Sequence, residues 1–356
     1  MKRSSSFVMA GGGTGGHVIP ALAVAKELRA RGHSVRFIGT RRGIEAKLAP
    51  AAGFPIDWIE IGGLNRVGFA QTLKSLAELP LSIFEASKLI DRAKPVAVFS
   101  MGGYVAGPVL LAALWKHLPV VAMEPNAVPG FTHRRLARYL AKVLVSFEET
   151  VRYFPPGRAE VTGRPVRDEF FAIGPKPLGE VLTVLITGGS QGSRTLNRAA
   201  EESWPLWKKG TVRLIHQTGE RDYQDLAAKF HAAGAAGEIS PFLEDMPKVF
   251  EDADVIVSRS GGTVSEIAAA GKPSILVPFP GAADQHQLRN AEAFEKAGAA
   301  RLVLDSQMTG ARLVEEVARL RSEAGLLERM SQAARALARP GAAKRAADVL
   351  EGFISD

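Results

Sequence analysis

Four glycine-rich loops contain most of the residues that could do chemistry in this sequence of 356 residues. They span residues 11–16, 101–104, 188–194 and 260–263, and the first ends next to His17. Each loop follows an apolar run that predicts a buried strand. Backbone N–H groups in such a turn, at the start of a helix, bind phosphate. With two loops in each half of the chain, we predict two phosphorylated ligands rather than one dinucleotide.

The first loop also satisfies the G-x-G-x-x-G pattern of dinucleotide-binding folds, which leaves a second interpretation open. In those folds an acidic residue at the end of the second strand binds a ribose. Here the second predicted strand, 35–38, continues into Gly39, Thr40, Arg41 and Arg42, with no acid. Because the two arginines would suit NADP, an NADP-dependent oxidoreductase stays as an alternative.

Apolar runs that alternate with amphipathic stretches must position these loops. The predicted strands are 7–10, 35–38, 96–99, 120–123, 143–145, 181–186, 212–217, 255–257, 274–277 and 300–303. Helical patterns cover 21–31, 194–202, 263–270, 287–297 and 341–353. Alternation of strands and helices at this spacing predicts α/β architecture, with parallel sheets covered on both faces.

The two halves begin in the same way. The stretch FVMAGGGTGGHVIPALAVAKEL in the first matches VLTVLITGGSQGSRTLNRAAEE in the second, and a segment rich in Pro and Gly, 155–165, lies between them. The sequence therefore predicts two doubly wound domains, 1–163 and 164–340, that face each other across a cleft. Ligands of such folds bind beyond the carboxyl ends of the strands. We expect the last helix, within 341–356, to pack back onto the first domain.

Composition excludes several classes of protein. The chain has no cysteine, so disulfide scaffolds, thiolate zinc sites, iron–sulfur clusters and cysteine nucleophiles are ruled out. The longest uncharged apolar stretch, 105–115, is too short to span a bilayer core of about 30 Å. The N-terminal apolar run is too short for a signal peptide. We therefore expect a cytoplasmic protein without a membrane span.

Positive charge is concentrated in the first half of the chain. The whole sequence has a formal charge of +8, yet residues 1–163 have 21 basic and 11 acidic side chains, a surplus of ten. This asymmetry predicts an anionic partner for the first half. Nucleic acid is disfavoured because aromatic residues, which would stack on bases, make up only 7% of the chain.

Taken in order, the motifs resemble the MurG family of bacterial peptidoglycan N-acetylglucosaminyltransferases. The matching segments are GGGTGGHVIPALAVAKEL, MGGYVAGPV, EPNAVPGFTHRRLA, TGRPVR, TGGSQGSRTLN and SRSGGTVSEIAAAGKPSILVPFPGAADQHQLRNA. The resemblance implies a GT-B fold, with two Rossmann-like domains facing a central cleft. It implies inverting transfer of GlcNAc from UDP-GlcNAc to undecaprenyl-diphospho-MurNAc-pentapeptide (lipid I), which gives lipid II. Roles in cell-wall biogenesis, cell shape and cell division follow. Another GT-B UDP-sugar transferase is the alternative.

The resemblance assigns UDP-GlcNAc mainly to the second half. Glu266 is in the first turn of a predicted helix, where the dipole keeps its carboxylate ionised, so that it can accept both ribose hydroxyls. Ser190 and Arg167 would bind the diphosphate, and the backbone of Leu243 would read the uracil. Gln287 and Asn126 would bind the sugar, although Pro125 stands where the family often has glutamine. Three further donor-site residues are Thr263, Val264 and Ser265.

A general base must take the proton of the acceptor hydroxyl. His17 is the first candidate, although as a cation it could instead bind the lipid diphosphate, and Glu124 is the rival base. Thr14, Gly15 and Gly16 are expected at the diphosphate of either substrate. His33 and His117 precede strands and are predicted as surface or strand-edge residues. Asp252 and Asp254 form a D-x-D pattern, but acids at this position commonly end a helix and face solvent. We therefore predict no protein-bound metal, and assistance by a soluble divalent ion stays open. No cofactor is predicted.

A membrane surface is a further expected partner. Apolar side chains fill much of 69–83, Phe84 and Trp115 add aromatic groups, and four basic residues follow on one predicted helix. Those four are Arg134, Arg135, Arg138 and Lys142. An apolar patch with a basic rim is typical of proteins that lie on an anionic leaflet. Together with the polyprenyl acceptor, this pattern predicts peripheral binding to the cytoplasmic face of the inner membrane.

Overall fold

A computed structural model describes residues 4–13, 15–61, 69–103 and 105–354 of the chain. For residues 69–77 it describes the backbone and not the side chains. Contacts divide the chain into two units. Unit 1 comprises Met1–Val166 together with Arg339–Asp356, and unit 2 comprises Arg167–Ala338. The acceptor and donor roles that the sequence assigns to the two halves stay predictions.

Unit 1 is built on a parallel sheet of seven strands in the order β3-β2-β1-β4-β5-β6-β7. The strands are β1 Ser6–Gly11, β2 Ser34–Gly39, β3 Ile56–Trp58, β4 Ala97–Gly102, β5 Val120–Glu124, β6 Lys142–Val145 and β7 Ala159–Val161. Its helices are α1 Gly15–Ala30, α2 Glu45–Ala51, α3 Phe69–Ala93, α4 Ala106–Trp115, α5 Phe131–Leu136 and, from the end of the chain, α14 Ala342–Glu351. Helices cover both faces of the sheet, as its two apolar clusters require.

Unit 2 is a second parallel sheet, of six strands in the order β10-β9-β8-β11-β12-β13. The strands are β8 Leu182–Thr187, β9 Val212–Gln217, β10 Gly237–Ser240, β11 Val255–Ser258, β12 Ser274–Leu276 and β13 Ala300–Leu302. The helices are α6 Asp168–Phe171, α7 Arg194–Ser203, α8 Glu220–Ala232, α9 Met246–Asp252, α10 Thr263–Ala270, α11 His286–Lys296, α12 Gly310–Ser322 and α13 Leu326–Ala336. The strand order reverses next to β8, as it does next to β1 in unit 1, which is the point where doubly wound sheets bind ligands.

All ten predicted strands are present, and the α/β class is confirmed. Three short strands were not predicted: β3, β7 and β10. Each lies at an edge of its sheet and is only partly buried. Each also contains one acid, namely Asp57, Glu160 or Glu238, which breaks the apolar run that marks a buried strand.

Helix α14 packs against α1 in the core of unit 1. Its Ala346, Ala347 and Leu350 are fully buried in the cluster that includes the apolar face of α1. Arg31, at the end of α1, pairs with Asp348 at 2.6 Å, and the Glu351 carboxylate lies 2.8 Å from His33 Nε2. Of the two positions predicted for His33, the surface is wrong because α14 covers it, but His33 does directly precede β2. His117 is exposed.

The four basic residues of the predicted membrane face do not share one helix. Arg134 and Arg135 are in α5, Arg138 is in the 3-10 turn Ala137–Tyr139, and Lys142 begins β6. Lys142 Nζ lies 3.6 Å from the Glu160 carboxylate. Leu140 follows the 3-10 turn with extended backbone and ends the helical segment. In the described part of the chain, no helix has the length and apolarity needed to cross a bilayer.

Candidate active site

The first glycine loop connects β1 to α1 and presents His17 in the first turn of the helix. The Gly12 carbonyl accepts a hydrogen bond from the His17 imidazole. Burial, followed by the nearby Arg164 guanidinium, lowers the pKa of His17 to about 4, so the ring is neutral at physiological pH. In a neutral imidazole one nitrogen donates and the other has a lone pair. His17 thus has the protonation state that a general base needs; Thr14 lies outside the described residues.

Arg164 is the cation that approaches this loop. One of its Nη groups donates to the Gly16 carbonyl at 2.8 Å. Arg167, which is predicted to bind the diphosphate, is exposed, and its guanidinium lies 5.1 Å from the centre of the Phe170 ring. The motif TGRPVR contains both arginines, and their spacing alone does not say which one reaches the glycine loop.

Glu124 ends β5 and is buried with every acceptor position in use. One oxygen accepts from the backbone N–H and the side-chain amide of Asn126, at 3.1 and 3.0 Å. The other accepts from the Gly130 N–H at 3.0 Å and lies 3.0 Å from His133 Nδ1. Burial raises the pKa of this carboxyl, but the interactions with His133 and the backbone N–H groups of Gly130 and Asn126 together outweigh burial and hold the pKa below its usual value. This geometry favours a role in positioning Asn126 over the role of a base.

His133 extends this network to the second glycine loop. Its Nε2 lies 3.2 Å from Ser100 Oγ, which in turn accepts from the Gly102 N–H at 3.1 Å. Sequence analysis missed His133, although it lies nine residues after Glu124 in one quoted motif. The Glu124–His133–Ser100 network therefore holds together the ends of β4 and β5. Tyr104, the last residue of this loop, lies outside the described residues.

The third loop, between β8 and α7, depends on close backbone contacts. A Cβ on Gly188 would lie 2.4 Å from backbone atoms of the same turn, so no larger residue fits there. Ser193 caps α7 by accepting from the Leu196 N–H at 3.3 Å. Ser190 lies at the exposed tip, in a position to meet a ligand.

A buried polar network fixes α7 beneath this loop. Asn197 donates to the Thr218 carbonyl at 3.0 Å and to Asp222 at 2.9 Å, and His216 Nε2 lies 3.1 Å from its Oδ1. Burial lowers the pKa of His216 to about 4, so this ring is neutral as well. Sequence analysis named neither Asn197 nor His216; the TGGSQGSRTLN motif, which contains Asn197, was the available signal.

The fourth loop leads into α10 and meets α11. Ser260 Oγ donates to the Gln287 carbonyl at 2.7 Å, and the Gln287 side-chain oxygen accepts from the Phe279 N–H at 3.0 Å. Asn290 donates to the Ser260 carbonyl at 3.0 Å. The structure therefore brings Gln287 next to the loop that precedes Glu266.

The remaining donor-site candidates lie on the same edge of unit 2. Thr263, Ser265 and Glu266 are partly exposed in the first turn of α10. Val264 is 1% exposed, so it could meet a ligand only through its backbone. The Leu243 N–H lies 3.4 Å from Gln217 Oε1, beyond the end of β9.

The two acids of the D-x-D pattern differ in environment. Asp252 is the last residue of α9, whereas Asp254 is 5% exposed, accepts from the Thr183 N–H at 2.7 Å and pairs with Lys176 at 2.9 Å. The prediction that both acids face solvent is therefore wrong for Asp254, because it joins β8 to the start of β11. No cluster of three His, Asp or Glu that could hold a metal occurs among the residues described.

Comparison with known proteins identifies the family. Residues 7–145 match the glycosyltransferase family 28 N-terminal domain, and residues 183–349 match its C-terminal domain. The chain is 59% identical, over 98% of its length and 96% of the other protein, to a UDP-N-acetylglucosamine–N-acetylmuramyl-(pentapeptide) pyrophosphoryl-undecaprenol N-acetylglucosamine transferase of Solibacter usitatus. The chain belongs to the MurG family.

The solved structure of Acinetobacter baumannii MurG agrees, with a TM-score of 0.82 at 33% identity, covering 98% of this chain and 99% of that one. A MurG-family enzyme of Azotobacter vinelandii is 40% identical over 97% of this chain and 98% of its own. Membership of the MurG family makes this chain a UDP-GlcNAc-dependent glycosyltransferase with a GT-B fold. The NADP-dependent oxidoreductase considered above is therefore dropped.

Proposed function

We propose that this chain transfers GlcNAc from UDP-GlcNAc to lipid I and so forms lipid II in peptidoglycan biosynthesis. The observation that carries this conclusion is the 59% identity, over nearly the whole of both chains, to an enzyme named for that reaction. The neutral imidazole of His17 beside the first glycine loop supports it with suitable chemistry.

The proposed step is a direct displacement at the anomeric carbon with inversion. The lone pair of His17 takes the proton of the acceptor hydroxyl while the oxygen of that hydroxyl bonds to the anomeric carbon. The bond from that carbon to the diphosphate breaks at the same time, and UDP leaves with the electron pair. Loop and helix N–H groups can stabilise its charge without a metal. Asn126, held by Glu124, would orient the sugar.

Substrate contacts are assigned to two sets of residues. We assign UDP-GlcNAc to unit 2, with Glu266 on the ribose, Leu243 on the uracil and Gln287 on the sugar. Ser190, Arg167 and the first turn of α10 would bind its diphosphate. Gly15, Gly16 and Thr14, with Arg164, would bind the diphosphate of the acceptor. The positive surplus of residues 1–163 favours this placement of the lipid substrate.

Removal of the Glu266 carboxylate should weaken donor binding. We expect Glu266→Ala to raise the Kd for UDP-GlcNAc about 10- to 100-fold, because hydrogen bonds to a charged group contribute roughly 1.5–3 kcal/mol. Calorimetry with UDP-GlcNAc and with UDP measures this, and both ligands should weaken equally because both contain the ribose. Glu328→Ala is the matched control, since Glu328 is an exposed acid in the first turn of α13. An unchanged Kd in Glu266→Ala would refute the ribose assignment.

We also propose that unit 1 binds the anionic surface of the cytoplasmic face of the inner membrane. Several large side chains are exposed there, with Trp115 at 75%, Leu81 at 59% and Phe84 at 53%. Phe131 and Tyr139 are exposed beside Arg135 and Arg138, whose guanidinium groups lie 5.4 and 4.8 Å from the ring centres. Aromatic and basic groups in this arrangement favour a lipid headgroup region.

Charge reversal on this face should release the protein from vesicles. We expect Arg134→Glu, Arg135→Glu and Arg138→Glu together to lower the partition coefficient about 100-fold or more on phosphatidylglycerol vesicles, at about 1 kcal/mol for each cation lost. Sedimentation with the vesicles measures the bound fraction. The control is the same charge change at the exposed Lys208, Lys209 and Arg319 of unit 2. Equal losses in both triple variants would contradict this docking face.

A further inference from the structure

A buried carboxylate contacts the first glycine loop and the loop that follows β2. Glu45, the first residue of α2, is 0% exposed. Its Oε2 accepts from the Gly13 N–H at 2.8 Å. Its Oε1 accepts from the Thr40 N–H at 2.9 Å and from Thr40 Oγ1 at 3.0 Å. One side chain therefore joins the loop after β1 to the loop after β2.

Three glycines make room for this carboxylate. They are Gly12 in the first loop, Gly39 at the end of β2 and Gly43 before α2. A Cβ on any of them would fall within 2.6 Å of a Glu45 side-chain atom. Because glycine alone permits such an approach, the surrounding backbone is built around the carboxylate.

In phosphate-binding loops, backbone N–H groups donate to a bound anion. Here the chain supplies its own anion to the Gly13 N–H. The equivalent loop of unit 2 is held by neutral groups, since the Gly189 N–H donates to Thr187 Oγ1 and the Gln217 amide donates to the Gly189 carbonyl. The two related loops therefore differ in whether an internal charge sets their shape.

Gly12 connects this carboxylate to the proposed base. One side of Gly12 lies against Glu45, and its carbonyl accepts the hydrogen bond of the His17 imidazole. We infer that Glu45 is a positioning residue for the transfer reaction: it fixes the first glycine loop and, through Gly12, the orientation of the His17 ring. This inference rests on the proposed role of His17. A misplacement of about 1 Å in a catalytic group can cost 100-fold in rate.

Glu45→Gln tests this role with little change in shape. An amide nitrogen would face either the Gly13 N–H or the Thr40 donors, so that donor meets donor and the loop must shift. We expect kcat to fall at least 10-fold while the Kd for UDP-GlcNAc is unchanged. The pKa of His17, followed by NMR of its ring, should rise from about 4 toward 6.5 as the ring becomes hydrated. Asp57→Asn, which removes a partly exposed carboxylate in β3, is the control.

Thr40 provides a milder pair of variants in case Glu45→Gln does not fold. Thr40→Val removes one donor to Glu45 and should shift kcat and the pKa of His17 in the same direction, whereas Thr40→Ser should behave like the wild type. A lower Tm with unchanged kcat per folded molecule and unchanged pKa of His17 would overturn the inference. Full turnover of His17→Ala would instead refute the proposed base, and the NMR measurement would still report whether Glu45 orients the ring.

Discussion

His17→Ala should lose transfer activity by a factor of about 100 to 10,000, the usual contribution of a positioned general base. UDP-GlcNAc binding should be unchanged, because the proposed donor contacts lie mainly in unit 2. Turnover with a soluble lipid I analogue and calorimetry with UDP-GlcNAc measure the two effects separately. Near-normal turnover would remove His17 from the mechanism.

The pH dependence gives a second test of the same residue. Protonation removes the lone pair, so activity should be lost as pH falls through the pKa of His17. For the free enzyme, which kcat/KM reports, the acid limb should lie near pH 4. A bound diphosphate beside Arg164 would offset the charge of that arginine and move the acid limb of kcat to higher pH. His117→Asn is the control, because this exposed histidine lies outside the network around His17.

Glu124→Ala should destabilise the protein by about 3 kcal/mol or more, because each buried donor left without an acceptor costs roughly 1–3 kcal/mol. The change leaves His133 and the N–H groups of Asn126 and Gly130 without their acceptor. Denaturant unfolding at pH 7 measures the free energy. Because the pKa of Glu124 is lowered in the folded state, its contribution is present above about pH 4.5 and is lost as pH falls through the folded value.

The matched control is Glu149→Ala, an exposed acid of the same unit, which should change the free energy of unfolding by less than about 0.5 kcal/mol. This comparison also separates the two roles considered for Glu124. A variant that unfolds like the wild type but loses turnover would make Glu124 the base. A destabilised variant with activity in its folded fraction supports the positioning role.

The sheets were predictable from sequence because their central strands are buried on both faces. Strands β1 and β4 are almost wholly apolar, so composition alone indicates them. Edge strand β7 is not recognisable in this way, because Glu160 at its centre pairs with Arg345 of the distant α14. Contacts of this kind depend on the fold and leave no local pattern.

Candidate site residues could be named from the sequence where they lie in or next to a glycine loop, as His17 does. The residues that set the environment of His17 could not be predicted from the sequence, because they come close to it only in the folded protein. Glu45 comes six residues after the end of β2, past the position where the dinucleotide pattern looks for an acid. The burial of His33 was not predicted for a similar reason, since its partner Glu351 is 318 residues away. The role of Thr14 stays a prediction.

The discontinuity of unit 1 has a consequence for biosynthesis. Residues 339–356, with α14, are translated only after the whole of Arg167–Ala338. At 5–20 residues per second, the ribosome needs about 10–30 s for that segment. During this time the apolar face of α1 lacks Ala346, Ala347 and Leu350, which cover it in the finished protein. The half of the chain that emerges first is thus the last to be completed, and its nascent form leaves the apolar face of α1 without this cover.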